Sequence, residues 1–248
     1  MQEGRPVGGR LPALHSHMIR LNAGIVTLVL ATTVQGADLP LVASDLTTGL
    51  NSHLRLTNTA EQPVTAWSLA ITTPVVDGQS RRFEETVDAY LSEITRDLTG
   101  STDKLDRLLP GQAREISLQQ VATGSSVEVI AVVLQDGTAL GDVRTIQSIF
   151  ERRQMERDDL RAVADIFSAV LPSTTGIPAF EELKRRFANP PQRSESTPMR
   201  SARDAVDAYL KVITVDNADA LTQQLRSYAD LVQRQHELAV RHSQQKKP

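Results

Sequence analysis

The chain contains no cysteine. Disulfides, thiolate nucleophiles and Cys-based zinc or iron–sulfur sites are therefore excluded. Aromatic residues make up 4% of the 248 residues, with a single Trp, which argues against the stacking platforms that hold single strands or sugars. An excess of one charge is missing too. With 27 Lys+Arg against 30 Asp+Glu, a formal net charge of −3 and a pI near 6.0, the chain offers no basic field for nucleic acid. The apolar run from Ala23 to Val34 falls short of the roughly 18 residues that span a bilayer. What remains is the composition of an ordinary soluble chain, 40% hydrophobic, long enough for one large domain or two small ones.

The first forty residues carry an address. Arg20 precedes the apolar stretch, and small residues follow it, which is the three-part layout of a secretory signal. Val34 and Gly36 suit the −3 and −1 positions of a cut before Ala37, so residues 1–36 are read as a signal peptide with an upstream extension and Met18 as the true start. Removing them takes away Arg5, Arg10, Arg20 and Glu3, leaving 24 basic against 29 acidic residues and a net charge of −5. The expected location is periplasmic or extracellular. An uncleaved signal would instead make the chain a signal-anchored membrane protein, and the same short run could also be a buried helix of a cytosolic domain.

From Leu41 to Asp142 the pattern is short, β-branched and broken by turn residues. Leu54 and Leu56 alternate with His53, Arg55 and Thr57, and Trp67, Leu69 and Ile71 share one face of a second run from Val64 to Thr73. The turn Ala60 to Pro63 between them predicts a hairpin. Leu108-Leu-Pro-Gly-Gln112 introduces a strand through Ile116 and Leu118, and Val127 to Leu134 is apolar nearly throughout, as at the centre of a sheet. Asp136-Gly137 ends that run as a tight turn. Strands at this spacing over about a hundred residues predict an antiparallel immunoglobulin-like β-sandwich over 37–142. Leu91, Ile94 and Leu98 fall at helical spacing, so 79–107 is read as a helical or loop insertion.

After Asp142 the apolar period changes from two to 3.6. Ile146, Ile149, Phe150, Leu160, Val163, Ala164, Phe167 and Leu171 mark a long helix capped by Asp142 and ended by Pro172. Pro178 starts a shorter helix that stops at Asn189-Pro-Pro. The helices thus cover 143–188, and 189–198 reads as a flexible linker. A helical hairpin over 199–248 follows, its members running from Met199 to Thr214 and from Ala218 to Ser243. Leu221, Leu225, Tyr228, Val232 and Ala239 line one side of the second, interrupted by Gln235. The fold class is α+β: the sandwich, then an all-α region. Val87 to Thr95 and Val206 to Thr214 agree at seven of nine positions, which is read as coincidence because repeat architectures need three or more units.

Chemistry is scarce. His236 and His242 lie six residues apart and so on different sides of a helix, unlike the paired histidines of zinc proteases, and His53 has no second His nearby; all three are read as surface residues. No Gly-x-Ser-x-Gly or phosphate-binding glycine loop occurs. Asp136 to Asp142 lacks the alternating carboxylates of a calcium loop and is read as a turn followed by a helix cap. Asp158-Asp159, Glu181-Glu182, Arg152-Arg153 and Lys184-Arg185-Arg186 read as solvated helix faces. Trp67 is assigned to the core. No residue is assigned a catalytic, cofactor-binding or metal-binding role, and no cofactor is expected.

The succession Leu56-Thr-Asn-Thr59, Pro63-Val-Thr-Ala-Trp67, Leu108-Leu-Pro-Gly-Gln112, Val129 to Leu134, Asp136-Gly-Thr138, Gly141-Asp142 and Ile149-Phe-Glu-Arg-Arg153 resembles a group of uncharacterised secreted bacterial proteins. Their pattern is an immunoglobulin-like domain leading into an Arg-rich helical region. The likeness covers roughly 50–155, and Gln135 stands where that pattern has an acidic residue. It implies fold and export and carries no catalytic residue. The expectation is an exported, non-enzymatic interaction module whose partner is a protein or envelope component, with no nucleic acid and with membrane attachment only if the signal is uncleaved. A carboxylate-based hydrolase or transferase with a cleft between the halves is the alternative; two perturbed carboxylates in one concavity would be its mark.

Overall fold

The structure is a computed structural model that describes residues 39–75, 78–101, 106–119, 121–188 and 196–246. The expected signal peptide, and most of the expected linker, lie outside the described residues.

The chain alternates early and turns helical late, and the elements follow that change. Strands β1 (Leu41–Ser44), β2 (Ser52–Asn58) and β5 (Ala113–Leu118) form one antiparallel sheet in the order β1-β2-β5. Strands β3 (Val64–Pro74), β4 (Ser80–Asp88), β6 (Ser126–Leu134) and β7 (Ala139–Gly141) form a second, in the order β4-β3-β6-β7. Leu54 and Leu56 of the first sheet meet Trp67, Leu69, Ile71, Val127 and Val132 of the second in one apolar core. β2 and β3 are therefore not the hairpin their adjacency suggests. The buried Asn58 amide donates to the carbonyls of Gln62 and Leu108, both at 2.9 Å, while its oxygen accepts from Ala60 N–H at 2.8 Å. These bonds turn the chain across to the other sheet, so that both apolar faces look inward.

The central strands of the second sheet, β3 and β6, are buried on both faces, which explains the nearly unbroken apolar run of β6. Register shifts between Val64 and Ala66 and between Ser68 and Leu69 mark bulges that leave Thr65 on β3 and Ile130 on β6 without a directly opposed partner. Each bulge switches which side chains face the inter-sheet core. Gly141 is required beside the second one: its φ is +114°, and an added Cβ would lie 2.1 Å from the Ile130 carbonyl oxygen.

The 79–107 insertion is part strand. β4 pairs along its length with β3, and only then does the chain enter α1 (Ala89–Thr99), capped by Asp88. Four helices follow β7: α2 (Val143–Val170), α3 (Gly176–Ala188), α4 (Thr197–Leu210) and α5 (Ala218–His242). α2 caps on Asp142 as expected. α3 begins before Pro178, and α4 begins inside the expected linker, capped by Ser196 with Pro198 in its first turn. α4 also stops four residues short of Thr214.

At 28 residues, α2 is about 42 Å long and serves both halves. Its Ile146, Ile149 and Phe150 lie on Ala66, Ala131 and Val133 of the second sheet, whose small alanines admit the helix. Its Leu160, Val163, Phe167 and Val170 enter a helical core with Ile94 and Leu98 of α1, Phe180 and Phe187 of α3, Val206 of α4 and Leu225 and Val232 of α5. The polar break in the α5 stripe is explained there: Gln235, 4% exposed, donates to Asp97 of α1 at 2.7 Å. α5 is tied down beyond its end, where Lys246 N–H donates to Gly137 O at 3.1 Å and its ammonium meets Asp136 at 2.7 Å. The two similar nonapeptides adopt different structures. Asp88 is a helix cap preceded by strand, whereas Asp207 sits inside α4, which ends three residues later. Among the described residues no helix is long and apolar enough to cross a membrane.

Candidate functional site

The densest buried charge lies where the sheets meet the helices. Arg153 occupies the same stripe of α2 as Ile146, Ile149, Phe150 and Leu160, so helical geometry carries it inward. Its side chain is 1% exposed and its partner Asp88 3%. The guanidinium is forked on the carboxylate, Nε to Oδ2 at 2.8 Å and Nη2 to Oδ1 at 3.0 Å. Nη2 also donates to Thr65 Oγ1 at 3.2 Å, and Nη1 to the His242 carbonyl at 3.3 Å. Asp88 Oδ1 accepts in addition from the N–H groups of Tyr90 at 3.1 Å and Leu91 at 3.4 Å. One ion pair thus links the bulge of β3, the β4–α1 junction, α2 and the end of α5. The rings of Tyr90 and Phe150 lie 5.6 and 5.5 Å from the guanidinium carbon.

Around this pair stand groups whose protonation is shifted. Burial, helped by the negative charges of Asp159 and Asp88, raises Glu156 to about 7. Burial also raises Asp159, one turn further along α2. The His242 ring rests on Tyr90 with centroids 4.7 Å apart. Burial lowers its pKa, and the positive charge of Arg153 adds to the effect. Burial raises the Tyr90 phenol, whose hydroxyl has no hydrogen-bond partner among the described residues. Glu93 of α1 and Arg107 form a further ion pair beside His242.

A separate concavity of about 470 Å³ runs between α2 and α5. Phe167, Leu171 and Pro172 give it apolar lining, while Gln223, Arg226 and Asp230 supply polar groups. Asp230 is its one carboxylate, and neither Glu156 nor Asp159 lines it.

Several residues read as solvated are therefore not so. Arg153 and Asp159 are buried and His242 is half-buried. Their spacing held the signal, because Arg153 and Glu156 fall in phase with the apolar stripe, but nothing local named Asp88 as the partner, 65 positions away. Other assignments match their surroundings. Trp67 is in the inter-sheet core. Asp136 accepts from Thr138 N–H in the β6–β7 turn, and Asp142 from Thr145 N–H at the start of α2. Arg185 and Arg186 both reach Glu182 at 2.7 Å on the surface of α3. His53 and His236 are half-exposed, on β2 and α5. Among the described residues no group of three or more His, Asp and Glu is placed to hold a metal ion.

No protein-family model matches the chain, and no curated protein is significantly similar to it. The chain is weakly similar to an X-ray structure of a hypothetical protein from Peptoclostridium difficile 630, at 9% identity and a TM-score of 0.27, over 46% of this chain and 92% of that one.

Proposed function

We propose that the chain is an exported, non-enzymatic interaction module, an immunoglobulin-like sandwich fused to a helical unit that together present a surface to a protein or envelope component. The observation that carries this reading is the use of the buried charge. The Arg153 fork and both Asp88 oxygens are consumed by bonds that join the two halves, and the open groove between α2 and α5 holds a single carboxylate. An immunoglobulin-like topology is supported by seven strands among the described residues, divided three and four, with the only Trp buried on the third strand. The fourth strand here pairs with the third rather than joining the first, second and fifth. Export is supported by Arg20, the apolar run to Val34 and the small residues ending at Gly36.

The test is retention of the chain, purified without residues 1–36, on envelope fractions of its host against a matched mutant in which Arg226 and Asp230 of the groove are reversed. Saturable retention that the mutant weakens supports the reading. Retention no better than an inert protein of equal charge overturns it.

One observation favours a second reading, acid–base chemistry by carboxylates. Glu156 is held near neutrality and lies within electrostatic reach of Asp159, the condition that suits a general acid or base. Turnover of a glycoside or ester substrate that is lost in Glu156→Gln without loss of fold would establish it.

A further inference from the structure

β4 is the edge of the four-stranded sheet, paired with β3 on one side and with no other strand among the described residues. Residues Ser80 to Glu84 are exposed, Phe83 among them at 38%. An open edge is an invitation to pair with another chain, which charged side chains normally discourage. Here the charges have an order that reverses their effect. The strand reads Ser80-Arg-Arg-Phe-Glu-Glu-Thr86, two cations and two anions placed symmetrically about Phe83.

We propose that β4 pairs antiparallel with β4 of a second copy, about a two-fold axis at Phe83 perpendicular to the sheet, joining the two four-stranded sheets into one of eight strands. In that register Arg82 faces Glu84 of the second copy and Arg81 faces Glu85, each relation occurring twice because the contact is isologous, and Phe83 faces Phe83 once, on the axis. Residues directly opposed across antiparallel strands share a face. Arg81, Phe83 and Glu85 lie on the core side of β4, opposite Thr73, Ile71 and Leu69 of β3, and Arg82 and Glu84 lie on the helix side. Both sets of charges therefore meet opposite charges on their own face. Slipping the axis one position along the same face scheme, to Arg82 or to Glu84, sets Arg82 against Arg82 or Glu84 against Glu84. The charges thus select one register against its neighbours.

The present partners of these side chains leave them available. Arg82 reaches Glu128 of β6 only at 3.9 Å, with both side chains about half exposed. Glu84 accepts one long contact from Thr145 Oγ1 at 3.4 Å. Neither Arg81 nor Glu85 is in an ion pair among the described residues, and burial raises the Glu85 carboxyl with no compensating cation. Arg81 of a second copy supplies that cation.

Sedimentation equilibrium on the whole chain tests the proposal. The wild type is expected to associate reversibly to two copies, more weakly at high salt. R81E/R82E and E84R/E85R each place four like charges on each strand of the contact and are expected to raise the dimer dissociation constant by about tenfold or more. An equimolar mixture of the two variants is expected to recover a heterodimer, because each then meets its complement, and the fourfold swap R81E/R82E/E84R/E85R is expected to recover the homodimer. These recoveries distinguish lost pairing from lost folding. A wild type that stays monomeric, an association that the paired reversals leave unchanged, or variants that remain folded yet fail to recover on mixing would each overturn the proposal.

Discussion

Replacing Asp88 by Asn strands a buried cation. The amide keeps an oxygen to cap α1 for Tyr90 and Leu91 N–H, and Asn caps helices about as well as Asp, so the cap term nearly cancels. What is lost is the counter-charge of Arg153, whose side chain is 1% exposed. Its remaining acceptors are that amide oxygen, the Thr65 hydroxyl and the His242 carbonyl, while Nε loses Oδ2 and faces an NH2 donor instead. Removing one member of a buried, hydrogen-bonded ion pair costs about 3–5 kcal/mol, a large share of the roughly 5–15 kcal/mol that holds a typical native chain. Arg153→Met alone should cost less, because Asp88 retains two backbone donors while the thioether fills the volume. The double variant Asp88→Asn/Arg153→Met removes both charges and should return to within about 1–2 kcal/mol of wild type, since well-packed apolar replacements of buried pairs are often neutral. Urea unfolding of the four proteins at neutral pH, followed by circular dichroism, gives the coupling directly. A cost below about 1 kcal/mol for Asp88→Asn, or additive effects in the double variant, would refute the buried lock, because a desolvated charge without its partner cannot be that cheap.

Three further outcomes follow from the geometry. Glu156, raised from 4.5 to about 7 by burial, binds its proton more tightly folded than unfolded. Its contribution to stability is therefore present below pH 4.5 and lost as pH rises towards 7; Glu156→Gln should flatten that part of the profile and stabilise the chain at pH 8 by on the order of 2 kcal/mol. His242 acts in the opposite sense, since its folded pKa is lowered: stability should fall as pH drops below about 6.5, and His242→Gln should blunt that acid loss in thermal melts. Gly141→Ala should cost on the order of 3 kcal/mol or abolish soluble expression, because φ is +114° and the new Cβ would strike the Ile130 carbonyl, whereas Gly111→Ala, with open space around it, should cost clearly less in the same assay.

Where burial followed the polar–apolar pattern, the elements were legible. β2 alternates, β6 is apolar from Val129 to Leu134 because both its faces are covered there, and Asp142 marks the start of α2. β4 gave no such signal. Its first five residues are exposed and four of its nine are Arg or Glu, so its conformation is dictated by pairing with β3 and not by its own periodicity. The false hairpin has a related cause: a turn of Ala60 to Pro63 says that the chain reverses, not which sheet it returns to, and the Asn58 bonds that settle this reach as far as Leu108. Arg153 was hidden by its own type. By its charge an arginine belongs to the solvated face, but its phase with Ile146, Ile149 and Phe150 places it in the interior. Asp88, the group that makes that burial tolerable, is supplied by tertiary structure alone.

The central claim is that buried charge makes the two halves one cooperative unit. Native-state hydrogen exchange tests it most directly. The slowest amides of β6 in the sheets and of Leu160 to Phe167 in the helical core should open with the same free energy, and Asp88→Asn should lower both by the same amount. Separate opening free energies for the two cores in the wild type, or an effect of Asp88→Asn confined to β4 and α1, would contradict the account.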